Sequence, residues 1–151
     1  MKLAEALVLR SDTKKRLEQL RARLASSALV QEGERPPEDP QVLLKELAAM
    51  IAEFERLIVA INRTNSNTGI PGFGTLTDAL AKRDALDLEY SLLEGFLEAA
   101  SNRVNRYSRT EIKLVSTVDV TPLRLQLDGI AKRRRDLDSL IQGTNWATEL
   151  Q

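Results

Sequence analysis

Apolar residues recur along this chain at steps of three and four, the spacing of one face of a helix. Over residues 40–65, Leu44, Leu47, Ile51, Phe54, Ile58 and Ile61 keep that step, and Leu43, Met50 and Leu57 widen the stripe. The pattern predicts a broadly buried helix. Asp39 supplies an N-cap, and Pro40 sits at the first helical position, where a missing N–H costs nothing. Over 76–108, Ala79, Arg83, Leu86, Tyr90, Leu93, Leu97, Ala100, Val104 and Tyr107 alternate four and three. A helix of that span is roughly 48 Å long at 1.5 Å per residue and needs partners along its length. Thr75 and Asp78 form a capping-box pattern at its start, with Asp in place of Glu. A first helix over 2–29 carries Leu3, Leu17, Leu20 and Leu24 around a polar middle of Arg10, Asp12, Lys14 and Lys15. A last helix over 122–143 follows Thr121 as N-cap and Pro122, with Leu123, Leu127, Ile130, Arg134, Leu137 and Ile141 on its seam.

Between the third and fourth helices, "EIKLVSTVDV" alternates and is rich in β-branched residues, so an extended segment is expected near 111–120. A lone strand lacks a hydrogen-bonding partner. Pairing with the same segment of another subunit and a solvated crossover both satisfy it. The fold class expected is therefore mostly all-α: an elongated four-helix antiparallel bundle or set of coiled-coil hairpins, one domain over 1–151, with one short β-like segment.

The glycine-rich stretch "NRTNSNTGIPGFGTL" does not read as a phosphate loop. A helix precedes it rather than a strand, and no Lys-Ser/Thr follows its last glycine. It reads as a connection between two helices. Asn65, Asn67 and Gly69 are suited to a left-handed helix end, and Pro71 with the glycines turns the chain.

Composition narrows the chemistry. Lys and Arg total 22, as do Asp and Glu, so no net charge marks the whole chain for nucleic acid or anionic membrane. There is no cysteine and no histidine, which removes disulfides, thiolate sites, imidazole bases and Ser-His-Asp triads. "MKLAEALVLR" carries no signal-peptide pattern, because Glu5 interrupts its apolar run. No apolar run approaches the ~20 residues of a membrane span. A cytoplasmic setting without a membrane is expected.

Arg10, Arg83 and Arg134 each interrupt an apolar seam near the middle of a helix. Asp12, Asp84, Asp87, Asp136 and Glu53 are candidate counter-ions. Either each arginine carries its head to the surface, or Arg10, Arg83, Asp84, Asp87 and Arg134 form a polar layer that fixes register. Asp84 and Asp87 also make a D-x-x-D pair of the kind that holds magnesium in helical nucleotide hydrolases, although no second pair matches it. Two basic clusters stand out. Arg103, Arg106, Arg109 and Lys113 accompany Tyr107, which offers a stacking surface for a base, and Lys132–Arg135 forms "KRRR". The first cluster also suits a helix C-terminus without any ligand.

Read end to end, "MKLAEAL", "RLEQLRARL", "VQEGERPPEDP", "INRTN", "TLTDALAKRD", "RYSRTEIKLVSTVDV" and "NWATEL" resemble a bacterial family of small all-helical, septicolysin-like proteins. The resemblance covers most of the chain in order and transfers no catalytic residue. Its label implies a pore-forming toxin. Against that label, the chain has no alternating hairpin long enough for a transmembrane barrel. The function expected from the residues is a non-enzymatic, self-associating helical scaffold or interaction protein. It needs no cofactor and forms a homo-oligomer through 111–120 and the helix seams. A nucleic-acid or nucleotide-binding module using Arg103–Arg109 is the alternative.

Overall fold

A computed structural model of the chain describes residues 1–101 and 114–151. The described residues form helices α1 (Leu3–Ser26), α2 (Pro40–Asn67), α3 (Leu76–Ser101) and α4 (Val120–Ala147), with two-residue strands β1 (Gly69–Ile70) and β2 (Gly74–Thr75) between α2 and α3. The fold is mostly all-α, as the periodicity implies.

Local chemistry starts each helix. Glu5 Oε2 accepts from the Lys2 amide at 2.7 Å ahead of α1. Asp39 Oδ1 accepts from the Gln41 amide at 2.9 Å ahead of α2. At α3 the capping box closes in both directions: the Thr75 amide donates to Asp78 Oδ2 at 2.8 Å, and the Asp78 amide donates to Thr75 Oγ1 at 3.2 Å. The start of α4 differs from the sequence expectation. It begins at Val120, and Asp119 Oδ1, not Thr121, caps it by accepting from the Thr121 amide at 3.1 Å. Pro122 falls within the first turn, where amides lack intrahelical partners.

The connection from α2 to α3 turns at other residues than expected. Asn65 and Asn67 stay helical, and Thr68 leaves the helix in extended conformation. Positive φ occurs at Gly72 and Gly74, not at Asn65, Asn67 or Gly69. The Phe73 amide donates to the Ile70 carbonyl at 3.1 Å. Pro71 and Gly72 occupy the two central positions, the arrangement of a type II turn, in which the third residue needs positive φ. A short hairpin thus replaces the αL cap. In the segment expected to be extended, residues 114–119 form no strand and 111–113 lie outside the described residues. So does the stretch from 102 to 108 of the third predicted helix.

The chain divides into two compact units, Met1–Gly69 with Gln142–Gln151, and Ile70–Ile141. In the first, α1 and α2 pack through Leu20, Leu43 and Met50, with Leu17, Leu24 and Leu47 around them. Arg23, near the end of α1, reaches Glu38 just before α2 and Glu46 in its second turn, so the two helices run back along each other. Its guanidinium grips Glu38 with two parallel bonds, Nη2 to Oε1 at 2.7 Å and Nε to Oε2 at 2.9 Å, and reaches Glu46 Oε1 at 3.0 Å. The buried face of α2 is narrower than its apolar stripe. Leu43, Met50, Leu57, Ile61 and Thr64 are buried, while Leu44 and Ile51 stay about half exposed. One partner helix covers one face and leaves the flank in water.

The chain ends complete this unit. Lys2 and Glu149 form an antiparallel bridge. The Leu3 amide donates to the Thr148 carbonyl and the Leu150 amide to the Met1 carbonyl, both at 2.9 Å. Glu149 takes both the Lys2 ammonium at 2.7 Å and the Met1 amino group at 3.2 Å. The Gln151 amide donates to Thr64 Oγ1 at 2.9 Å, so the buried threonine hydroxyl is satisfied on both sides, since it donates in turn to the Ala60 carbonyl at 2.8 Å.

Candidate functional site

The second unit holds four of the five residues of the expected polar layer. α3 presents Ala79 and Leu86 to the unit's interior, and α4 presents Leu127, Ile130, Leu137 and Ile141. These positions repeat at the steps of three and four read from the sequence. Where each seam carries an arginine, the opposite helix carries an aspartate. Arg134 Nε donates to Asp87 Oδ1 at 2.8 Å. Arg83 pairs with its neighbour Asp84 at 3.1 Å and reaches Asp138 Oδ1 across the seam at 3.7 Å. The two cross-helix pairs lie one turn apart with the charges exchanged, Arg to Asp and then Asp to Arg. That alternation is met by one antiparallel register of α3 against α4 and discourages a slip by one turn, which would bring like charges together.

Asp138 is the partner that sequence reasoning missed; Asp136 was named instead. The signal was present, because Asp138 lies four residues after Arg134 and so on the same side of α4. Arg10 is not part of this arrangement. It lies on α1 in the other unit and makes no ion pair with a described residue. Hydrogen bonding to Asp87, reinforced by the field of Asp87 and more weakly of Asp138, holds the Arg134 guanidinium above its ordinary value. The pair is half exposed, so its contribution to stability is small.

Two shallow grooves flank the α3–α4 seam. One, of about 300 Å³, is lined by Asp87, Tyr90, Ala131, Arg134 and Arg135. The other, of about 280 Å³, is lined mainly by Phe73, Leu86, Leu137 and Leu140 with Lys82, Arg133 and Asp136 at its edges. Asp84 and Asp87 are each engaged by an arginine, Asp84 by Arg83 and Asp87 by Arg134. Among the described residues no group of three or more carboxylates is placed to hold a metal. The two cross-helix pairs are consistent with a role in helix register. The basic cluster Arg103, Arg106, Tyr107, Arg109 and Lys113 lies outside the described residues. Within "KRRR", Arg134 is tied to Asp87, while Lys132, Arg133 and Arg135 are exposed.

A family described as of unknown function (DUF6847) matches this chain over residues 10–150. The chain belongs to this family. It is also similar along its whole length to a solved structure, the crystal structure of a functionally unknown conserved protein from Corynebacterium diphtheriae. The two share 43% identity with a TM-score of 0.93, covering 100% of this chain and 99% of the other. No curated protein matches. These findings correct the septicolysin-like resemblance, since the family that covers the chain carries no such assignment. Two of the blocks that suggested it contain ordinary helix-start chemistry. "TLTDALAKRD" is a capping box opening a seam, and "VQEGERPPEDP" ends in the Asp39–Pro40 helix start. No helix among the described residues is long and apolar enough to cross a membrane.

Proposed function

We propose that this chain is a helical interaction protein that self-associates, and that its role is binding rather than chemistry. The observation that carries this reading is the apolar surface its helices leave uncovered. Leu44, Ile51 and Val59 are exposed on α2, and Leu88, Leu92 and Phe96 on α3. Each set recurs at helical spacing, so it forms a row on one side of its helix rather than a scatter. Contiguous apolar rows of this kind mark interaction surfaces. The Arg83–Asp138 and Arg134–Asp87 pairs serve the scaffold by holding the register that presents the α3 row. A cytoplasmic setting suits a chain with no cysteine to oxidise. Size exclusion with light scattering tests the reading: an oligomer is expected at micromolar concentration, and a clean monomer there sinks it.

A further inference from the structure

We infer that the outer face of α3 pairs with α3 of a second copy, antiparallel about a two-fold axis. This rests on the self-association reading and names its contact. α3 has two apolar faces. Ala79 and Leu86 are buried in its own unit. On the opposite side, Ala81, Ala85, Leu88, Leu92, Gly95 and Ala99 follow at steps of four, three, four, three and four, which is the spacing of a heptad seam. This second seam is uncovered: Leu88 is 61% exposed, Leu92 66%, and Phe96 beside it 47%.

By size the row runs small, small, large, large, small, small, and so reads alike in both directions. A two-fold contact brings residue i to j and j to i. Antiparallel pairing therefore matches Leu88 with Leu92 of the second copy, Ala85 with Gly95, and Ala81 with Ala99. Large layers sit at the centre and small ones at both ends, with no large side chain facing another's backbone. Gly95 supports the match. A Cβ built there meets nothing within 4 Å in its own chain, so internal packing does not require glycine at a position where it weakens a helix. A second helix closing on Ala85 and Gly95 uses the missing side chain.

The area is of the right order. Leu88, Leu92 and Phe96 expose roughly 300 Å² per copy, and with the alanines and neighbouring stems the pair buries on the order of 1,000 Å², where specific interfaces begin. Leu114 and Val115, also exposed, line a groove of about 310 Å³ with Phe96 and Ala99 and extend the apolar surface beyond the row. A dimer that forms and dissociates with concentration follows. At its rim Asp84 lies opposite Glu98 of the second copy, like charges partly relieved by Arg83 beside Asp84. Added salt therefore tightens this dimer, where a contact held by ion pairs would loosen.

Because the chain has no cysteine, engineered thiols report on the register cleanly. Ala85→Cys and Gly95→Cys variants are mixed and oxidised. The mixture is expected to give a disulfide-linked dimer between the two variants, while each alone does not. Like positions lie ten residues, about 15 Å, apart along the axis, beyond the reach of a disulfide. Linkage of either variant with itself overturns the antiparallel register. A mixture that stays unlinked, in protein that light scattering shows to associate, overturns the α3 contact and leaves self-association standing; a monomer removes both. In parallel, Leu88→Asp raises the dimer Kd at least tenfold with an unchanged helical circular dichroism spectrum. An unchanged Kd overturns the inference.

Discussion

Thr13 on α1 is fully buried, and its hydroxyl finds no hydrogen-bond partner among the described residues. An unpartnered buried hydroxyl costs about 1–3 kcal/mol. Valine keeps the shape and removes the polar atom, so Thr13→Val is expected to stabilise the protein by about 1 kcal/mol. The urea midpoint should rise with the slope unchanged. Thr64 offers the contrast: its hydroxyl is used twice, so the same change there leaves the Gln151 amide unpaired and lowers the midpoint. The Arg23 grip gives a pH signature. Its hydrogen bonds hold the Glu38 carboxyl below its ordinary value of 4.5. A group with a depressed folded value stabilises above the unfolded value and loses that contribution as pH falls through the folded one. Glu38→Gln should thus lower stability at pH 7 and flatten its decline below about pH 4.5, followed by denaturation from pH 7 to 3. An unaltered profile would remove Glu38 from the acid response. The size is modest, because both partners are well exposed.

At the scale of elements, Gly33 and Gly74 make a natural comparison. Both have positive φ, +86° and +82°, but a Cβ at Gly33 meets nothing within 4 Å, whereas one at Gly74 falls 2.7 Å from Asp78 Oδ2. Alanine costs about 1 kcal/mol at either position for the backbone alone. Gly74→Ala should cost about 1 kcal/mol more, because it displaces the carboxylate that caps α3. Equal losses in paired denaturant curves would mean the cap yields freely. Features of this local kind were legible: the Asp39 cap, the Thr75–Asp78 box and the period of every seam lie within a few residues of chain. The true cap of α4 sits two residues from the one expected, because Asp119 and Thr121 are both good acceptors and only geometry chooses between them. The αL ending of α2 was misplaced because asparagine tolerates positive φ without requiring it, whereas Pro71–Gly72 made a tighter turn available. The exposure of Leu44 and Ile51 was not legible, because periodicity shows which side is apolar and not how many neighbours cover it.

At the scale of the molecule, the arginines that break the seams were readable as anomalies, and two of the three find aspartates across α3 and α4. What the sequence withheld was the pairing of chain ends. A two-residue bridge between Lys2 and Glu149 has no period, and nothing local links positions so far apart. It is open to direct test. Removing residues 148–151 should strip the Leu3 amide of its acceptor and the Thr64 hydroxyl of its donor. Hydrogen exchange at Leu3 should accelerate at least tenfold, with α1's first turn following; unchanged protection there would mean the bridge contributes nothing. The same pairing has a consequence in time. Ribosomes add roughly 5–20 residues per second, so Glu149, with which Lys2 pairs, emerges some 7–30 s after Lys2 itself at that rate. Through that interval α1 and α2 can meet, but the edge of their unit stays open until residues 148–151 reach it.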